Sequence, residues 1–240
     1  MMFQWTPDMI RFMRDASEYN QYHQKLTAQM LPWLNRDTNI CDAGCGLGDL
    51  SLALAPHVGQ VTAVDIDPRP LRALEERCRT RGISNIDIRC GDISGLAPAV
   101  PYDTMVFCFF GSIEEICSTA KQQCRGSVFV ISKNYTSHRF SVGEYQSGDY
   151  GFSRAREVLS QHGIPFQEKV MEIELGQPFR SFDDTRLFFL AYSRDTDKSV
   201  ITDEFLRQKL VCTDDTEFPF YMPHLRKVGW LKFDVRDIPG

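Results

Sequence analysis

The residue types that could do chemistry in this 240-residue chain are concentrated near position 45. Residues 40–48, Ile-Cys-Asp-Ala-Gly-Cys-Gly-Leu-Gly, run from short apolar residues through an acid to three glycines at alternate positions, Gly44, Gly46 and Gly48. Glycine adopts positive φ angles, and its missing side chain lets a ligand lie against the main chain. Amides at the start of a following helix favour a negative group. The stretch therefore predicts a buried strand that turns sharply into a helix around a nucleotide-like ligand.

The spacing of these glycines indicates which kind of nucleotide-like ligand the turn can bind. Dinucleotide-binding folds use G-x-G-x-x-G, whereas position 49 of this chain is Asp, so the third glycine is missing. A second apolar run, 61–65, ends in Asp65, which follows Asp42 at about the twenty-residue interval that places an acid near ribose hydroxyls. A carboxylate accepts both hydroxyl protons without a proton of its own. Because the third glycine is missing, an NAD-binding oxidoreductase is the weakest of three alternative functions.

With its preceding acid, the glycine turn resembles the first motif of class I S-adenosylmethionine (SAM)-dependent methyltransferases. The predicted strand 86–90, followed by Gly91, Asp92 and Ile93, is similar to a further motif of that family and occurs in the same order. The resemblance covers roughly residues 8–133 and implies SAM as the cofactor, with S-adenosylhomocysteine (SAH) as its product.

The resemblance also implies a role for each cofactor residue. Asp65 would hold the ribose, Asp92 would bond the adenine amino group, and Ile66 and Ile93 would pack on the two faces of the adenine ring. The expected cofactor-binding residues are Asp42, Gly44, Cys45, Gly46, Gly48, Asp65, Ile66, Asp92, Ile93, Phe109 and Tyr22.

Several of these residues have a purely structural interpretation as well. Asp65 could cap the helix that begins near Pro68, although Asp67 already fits that position. Asp92 could be a turn residue after its strand. Cys45 lies near a helix N-terminus, where a thiol can become acidic, but we expect a small filler residue there.

Methyl transfer from SAM is an in-line displacement from an already activated sulfonium, so the protein mainly supplies alignment, worth roughly 7–11 kcal/mol in favourable cases. If the acceptor is a hydroxyl, a base helps. His138 is the first candidate for that base and His23 the second, although a loop histidine can equally be only solvated. Phe109-Phe110-Gly111 follows the predicted fourth strand and lacks the Asn/Asp-Pro-Pro-Tyr/Phe signature of DNA and protein amide N-methyltransferases.

Composition narrows the class of protein further. Hydrophobic residues make up 42% of the chain, the net charge is −5, and no basic tract stands out, which argues against a general nucleic-acid partner. The eight cysteines form no C-x-x-C pair and no metal-ligand pattern. No apolar run has the length of a membrane span. We therefore expect a cytoplasmic monomer or homodimer without metal or membrane contact.

The elements that must position these residues alternate between strand and helix from residue 39 onward. The pattern predicts an α/β, doubly wound, mostly parallel seven-stranded sheet of the Rossmann-like methyltransferase type. An amphipathic helical segment, broken once, precedes it within residues 1–36. The predicted strands are 39–43, 61–65, 86–90, 103–109, 126–132, 166–175 and 228–238, and the predicted helices are 47–56, 69–80, 112–123, 151–162, 181–193 and 202–210.

About fifty residues separate the last two predicted strands, far more than a hairpin needs. The expected division is a SAM-binding domain of residues 37–176 and 227–240 with a helical insertion, 177–226, that caps the active-site edge. The insertion's many aromatic side chains either line a pocket for an apolar acceptor or form a core of their own.

The function predicted from the sequence is methyl transfer from SAM to a small-molecule acceptor. One alternative is a catalytically silent SAM- or SAH-binding subunit that regulates a partner. Another is aminopropyl transfer on the same fold, for which Asp103 and Glu114 are the available acids.

Overall fold

A computed structural model describes residues 5–135, 140–142 and 151–239. The chain forms two compact units. The sheet unit contains the described residues within His23–Asn134, Tyr150–Met171 and Lys227–Gly240. The accessory unit contains those within Met1–Tyr22, Tyr135–Asp149 and Glu172–Arg226.

The main sheet has seven strands, as predicted. They are β1 Asn39–Ala43, β2 Gln60–Asp65, β3 Ile86–Cys90, β4 Tyr102–Cys108, β5 Cys124–Lys133, β6 Phe166–Glu174 and β10 Leu225–Asp234. Their order across the sheet is β3-β2-β1-β4-β5-β10-β6, which confirms the predicted fold class. Strand β1 pairs in parallel with β2 on one side and β4 on the other, and β10 pairs antiparallel with β5.

Burial on both faces explains why the central strands are continuous apolar runs. Met105, Val106 and Phe107 of β4 are at most 1% exposed, as are Val128 and Phe129 of β5. The helices between these strands are α3 Asp49–Leu54, α4 Pro68–Arg81, α5 Ile113–Gln123 and α6 Gly151–Gln161.

Two predicted elements differ most from the structure at their ends. The helix predicted over 47–56 begins only at Asp49, because Gly48 before it is left-handed, and residues after Leu54 form a 3-10 turn. The strand predicted over 228–238 ends at Asp234, whose carboxylate accepts a hydrogen bond from the amide of Arg236 at 2.9 Å. That side-chain bond starts another 3-10 turn instead of prolonging the ladder.

The N-terminal segment is helical, as predicted, but it is interrupted twice, at Gln21 and before a 3-10 turn over Leu31–Trp33. Helix α1, Pro7–Asn20, has Thr6 as its N-cap and stops at Gln21, which has φ +50°. Helix α2, Tyr22–Ala28, follows directly.

Helix α1 and the insertion make up most of the described accessory unit. Helices α7, Phe182–Tyr192, and α8, Asp203–Lys209, occur where helices were predicted. Three short strands that were not predicted accompany them, β7 Gln177–Phe179, β8 Val211–Cys212 and β9 Phe220–Met222. They form an antiparallel sheet in the order β7-β9-β8.

The aromatic side chains of the insertion pack into a core of this unit. Phe12 of α1 contacts Phe179 and Phe188 edge-to-face, with ring centroids 6.2 and 5.1 Å apart. The buried members of the core are Phe12, Phe179, Phe188, Phe189, Ile201, Leu206 and Met222. These rings therefore form a core, which was one of the two interpretations, but α1 also contributes Phe12 to it.

Paired charges join α1 to the insertion beside that core. Arg11 donates two hydrogen bonds of 2.8 Å to the carboxylate of Asp184. Arg180 donates to the buried carboxylate of Asp15 and, at 2.9 Å, to Glu217. A pair with one buried partner contributes more than a fully solvated pair, because water screens it less.

No helix in the described ranges is long and apolar enough to cross a membrane.

Gly229 of β10 offers a test of the packing between the sheet and α6. A Cβ atom built there lies 2.0 Å from the ring of Phe152, which is 4% exposed, so neither group has room to shift. Gly229→Ala should lower the free energy of unfolding by about 1–3 kcal/mol, as overpacking does, measured by urea denaturation. Gly95→Ala is the control, since a Cβ there meets nothing within 4 Å; equal losses in both variants would contradict the packing.

Candidate cofactor site

The glycine turn after β1 has the backbone conformation that its sequence predicts. Gly44, Gly46 and Gly48 have φ angles of +69°, +53° and +67°. The amide of Cys45 donates to the carbonyl of Val64 at 2.9 Å, which ties the turn to β2. The chain thus leaves a buried strand, reverses within five residues and enters α3 at Asp49.

Two glycines of the turn also meet close neighbours. A Cβ at Gly44 would lie 2.2 Å from Cγ of Phe110, which follows β4. A Cβ at Gly48 would lie 2.4 Å from Leu74 of α4. In dinucleotide-binding folds the third glycine allows the helix to pack closely on the strand. Gly48 allows the same close packing here, so the residue at position 49 can be an acid.

Asp65, at the end of β2, is fixed against this turn. One oxygen of its carboxylate accepts a hydrogen bond from the amide of Gly46 at 2.8 Å, and the other accepts from the amide of Asp67 at 2.9 Å. A carboxylate has about four acceptor positions, so capacity remains for ligand hydroxyls. The helix-capping role belongs to Asp67, which accepts from the amide of Arg69 at 2.9 Å.

Asp42 lies beneath the turn and is 1% exposed. Its carboxylate accepts a hydrogen bond of 2.6 Å from the hydroxyl of Ser51 on α3. Burial raises the pKa of Asp42 to about 6, the Ser51 bond opposes this rise, and the charge of Asp65 adds to it. Asp42 thus positions the turn and α3 from below.

Arg77 of α4 holds the turn from the other side, a role that the sequence did not indicate. Its guanidinium donates to the carbonyl of Leu47 at 3.2 Å and pairs with the carboxylate of Asp49 at 2.7 Å. Both charged side chains are nearly buried. Ser51 lies among the buried apolar residues of α3, Arg77 is one of several charged residues of α4, and no local motif marks either one.

The residues expected around adenine lie at the ends of β2 and β3. Asp92 is exposed, and its carboxylate accepts from the amide of Ser94 at 2.9 Å, so it does serve as a turn residue. Ile66 is 54% exposed, a large fraction for an apolar side chain. Ile93 is 6% exposed and packs in the main core, and its contact with adenine remains a prediction.

Cys45 does not have the environment of a reactive thiol. Burial, followed by the negative charges of Asp42 and Asp65, raises the pKa of its thiol, so the group stays protonated at neutral pH. This agrees with a filler role.

The other residues singled out in the sequence have different surroundings. Phe109 is half-buried with φ +56°. Tyr22 is fully buried, and the guanidinium of Arg226 lies 5.9 Å from the centroid of its ring. His23 is half-buried on α2. His138 lies outside the described residues, and the roles of all four stay predictions.

Within the described ranges, no three His, Cys, Asp or Glu side chains are grouped so that they could hold a metal ion.

The acids available for aminopropyl transfer are engaged elsewhere. Asp103 lies at the start of β4, at the opposite edge of the sheet from the glycine turn, and accepts from the amide of Asn39 at 2.8 Å and from Arg125. Glu114 is exposed and pairs with Arg154 at 3.0 Å. Neither carboxylate is beside Asp65, which weakens this alternative.

The arrangement fits an adenosyl ligand. Asp65 has spare acceptor capacity at the position of a ribose, the main chain at Gly44 carries no side chain, and Ile66 offers an exposed apolar surface. The site is rich in hydrogen-bond-accepting oxygens and is negatively charged. It therefore suits a ligand with hydroxyl groups and a positive centre better than a ligand with a second phosphate.

Comparison with known proteins agrees with this geometry. Residues 40–127 match the family model described as "Methyltransferase domain". The structure superposes on the YcgJ protein of Bacillus subtilis with a TM-score of 0.59 and 12% identity, over 89% of this chain and 98% of that one. This likeness concerns the fold alone.

Two curated bacterial relatives are similar over part of the chain. A 23S rRNA (uracil(1939)-C(5))-methyltransferase of Marinomonas sp. is 32% identical over 74 residues, 30% of this chain and 17% of that protein. A ribosomal RNA small subunit methyltransferase C of Acinetobacter baumannii is 26% identical over 144 residues, 53% of this chain and 43% of that protein. This chain thus spans less than half the length of either relative.

The match of residues 40–127, which hold the glycine turn, identifies a class I SAM-dependent methyltransferase domain in that part of the chain, and the sheet order agrees with it.

Gly44 and Gly82 form a matched pair for testing the turn. Both have φ near +65°, so alanine strains the backbone at either one, by about 1 kcal/mol. Only at Gly44 does the added Cβ also overlap a neighbour, whereas at Gly82 it meets nothing within 4 Å. Gly44→Ala should abolish SAM binding in calorimetry and Gly82→Ala should preserve it. Equal affinities in the two variants would show that the turn does not contact the ligand.

Asp42 gives a pH-dependent prediction. Because its pKa is raised to about 6 in the folded protein, the folded state binds a proton more readily than the unfolded chain. Its ionisation therefore lowers stability above pH 6, and this loss disappears as the pH falls from 6 towards 4. Asp42→Asn should raise the free energy of unfolding at pH 8 by about 1–3 kcal/mol and change it little at pH 4.

Urea denaturation at the two pH values measures the difference. Asp37→Asn, at an exposed position, is the control and should have a small effect at both. A gain for Asp42→Asn that is equal at pH 4 and pH 8 would disprove the burial argument.

Proposed function

We propose that this protein transfers the methyl group of SAM to a small-molecule acceptor in the cytoplasm. The bond between the carboxylate of Asp65 and the amide of Gly46 is the observation that carries the proposal. It fixes an acid at the end of β2 directly onto the glycine turn of β1, as an adenosyl ligand requires. The match of residues 40–127 to the methyltransferase family supports it.

SAM supplies an activated methyl group on a sulfonium, and the protein's own residues bind and align it. Asp65 accepts the ribose hydroxyls, Asp92 accepts the adenine amino group, and Ile66 covers the adenine ring. The turn around Gly46 receives the methionine part. Asp42 and Arg77 hold the turn in place, so little reorganisation is needed when the ligand binds.

A small-molecule acceptor is supported by the charge of the chain and by the end of β4. The net charge is −5, and a surface that binds RNA phosphates needs clustered Lys and Arg. Phe109 and Phe110 occupy the place where amide N-methyltransferases carry an Asn/Asp-Pro-Pro signature. The ribosomal RNA relatives share only part of their length with this chain. The insertion would cap the acceptor, and His138, or else His23, would serve as base for a hydroxyl acceptor.

Calorimetry tests the ligand. SAM and SAH should bind, and NAD should not. Asp65→Ala should weaken SAM binding more than tenfold, because the ribose hydrogen bonds and the anchor of the turn are lost together. Asp87→Ala removes an acid from the neighbouring strand that is paired with Arg89, and it should leave the affinity unchanged. NAD binding in place of SAM would refute the proposal.

A transfer assay tests the acceptor. The protein is incubated with SAM carrying a labelled methyl group and either a metabolite extract or ribosomal RNA. Label should appear in a small molecule from the extract and not in RNA. Labelled RNA would contradict the small-molecule proposal, and binding without transfer to either would favour a regulatory subunit.

A further inference from the structure

The order of the strands sets the order of the ligand's parts along the edge of the sheet. Adjacent strands run β3-β2-β1-β4, and their carboxyl ends carry Asp92, Asp65, the glycine turn and Phe109 in that sequence. The parts of SAM follow one another in a corresponding order, with adenine first, then ribose and then the sulfonium. With adenine at Asp92 and ribose at Asp65, the sulfonium lies past the glycine turn, at the boundary between β1 and β4.

The ring of Phe110 lies at that boundary. Register pairs Ala43 of β1 with Phe107 of β4, so Gly44 and Phe110 follow the strands closely on the same edge. The distance of 2.2 Å from the ring's Cγ to a Cβ built at Gly44 shows that the ring lies directly over this glycine. Phe110 is nevertheless 42% exposed, so part of its ring is open to a ligand.

Unusual backbone geometry places the ring there. Phe109 has φ +56°, which is costly for a residue with a large side chain, and Gly111 has φ +75°. Among the described residues other than glycine, only Gln21 also has a positive φ, and Gln21 is the C-cap of a helix. Strain of about 1–3 kcal/mol persists when the surrounding structure enforces it, and it is concentrated at functional sites.

Carboxylates at the ends of β1 and β2 add negative charge to this edge of the sheet. Asp42 and Asp65 lie close enough for the charge of Asp65 to raise the pKa of Asp42. Aromatic faces attract cations within about 6 Å of the ring centroid. A sulfonium is a cation that donates no hydrogen bond, so the face of an aromatic ring is a group that can recognise it.

We propose that Phe110 is a cofactor-contacting residue whose ring face binds the sulfonium of SAM and so favours charged SAM over neutral SAH. This inference rests on the proposed function, since it assigns one further contact of the same ligand. It also gives the left-handed conformation of Phe109 a purpose, because that conformation directs the next residue towards Gly44.

The test compares SAM and SAH affinities in three variants by calorimetry. Phe110→Leu keeps an apolar side chain without a ring, Phe110→Ala removes both, and Phe110→Tyr keeps the ring. The ratio of the SAH to the SAM dissociation constant should fall about threefold or more in the Leu and Ala variants and stay near the wild-type value in the Tyr variant. Thermal melts check that all variants fold, which a half-exposed position favours.

Three results would overturn the inference. Equal weakening of SAM and SAH in the Leu and Ala variants would show that the ring only packs against the ligand. Tighter binding of both would show that the ring obstructs the site. An unchanged ratio in all variants would place the sulfonium elsewhere. If the wild-type protein bound neither SAM nor SAH, the proposed function itself would fail, and that result differs from all three.

Discussion

Parallel pairing of β1 with β2 and β4 is the constraint on which the site depends. It brings the loops that follow the three strands to one edge of the sheet, side by side. The Asp65 carboxylate can reach the amide of Gly46, and Phe110 can lie over Gly44, only because those loops are neighbours. Residues far apart in sequence are therefore placed by backbone hydrogen bonds before any ligand arrives.

The electrostatics of the turn oppose stability while they favour a positively charged ligand. Burial of the Asp42 carboxylate disfavours its charged form, and Ser51 compensates only in part. The neighbouring acid Asp49 is neutralised by Arg77. The charge of Asp49 is compensated better than that of Asp42. Asp49 has the guanidinium of Arg77 at 2.7 Å, whereas Asp42 accepts a hydrogen bond from a neutral hydroxyl. A cationic sulfonium bound at the turn would offset part of the negative charge of Asp42 and Asp65.

Sequence reasoning located what depends on local pattern and missed what depends on tertiary placement. The glycine turn, the central strands β4 and β5 and the cap at Asp67 are encoded by residue type and short spacing. The sheet of the accessory unit was missed because strands of two or three residues, such as Val211–Cys212, are too short for alternation to show. Arg77 and Phe110 gained their roles from contacts made only after folding, and nothing in the residue types around Phe109 indicates its positive φ.

The same difference explains why the cofactor is visible in the sequence and the acceptor is not. Binding an adenosyl group requires a turn of fixed geometry and acids at set strand ends, so it leaves a motif of constant spacing. Alignment of an acceptor with an activated methyl group requires only shape and exclusion of water, which many side chains can supply. In this protein the aromatic side chains of the insertion are largely used for the accessory core around Phe188. Acceptor selectivity should therefore depend on apolar groups beside the methyl donor, and Phe110, which is 42% exposed, is one such group at the sheet edge.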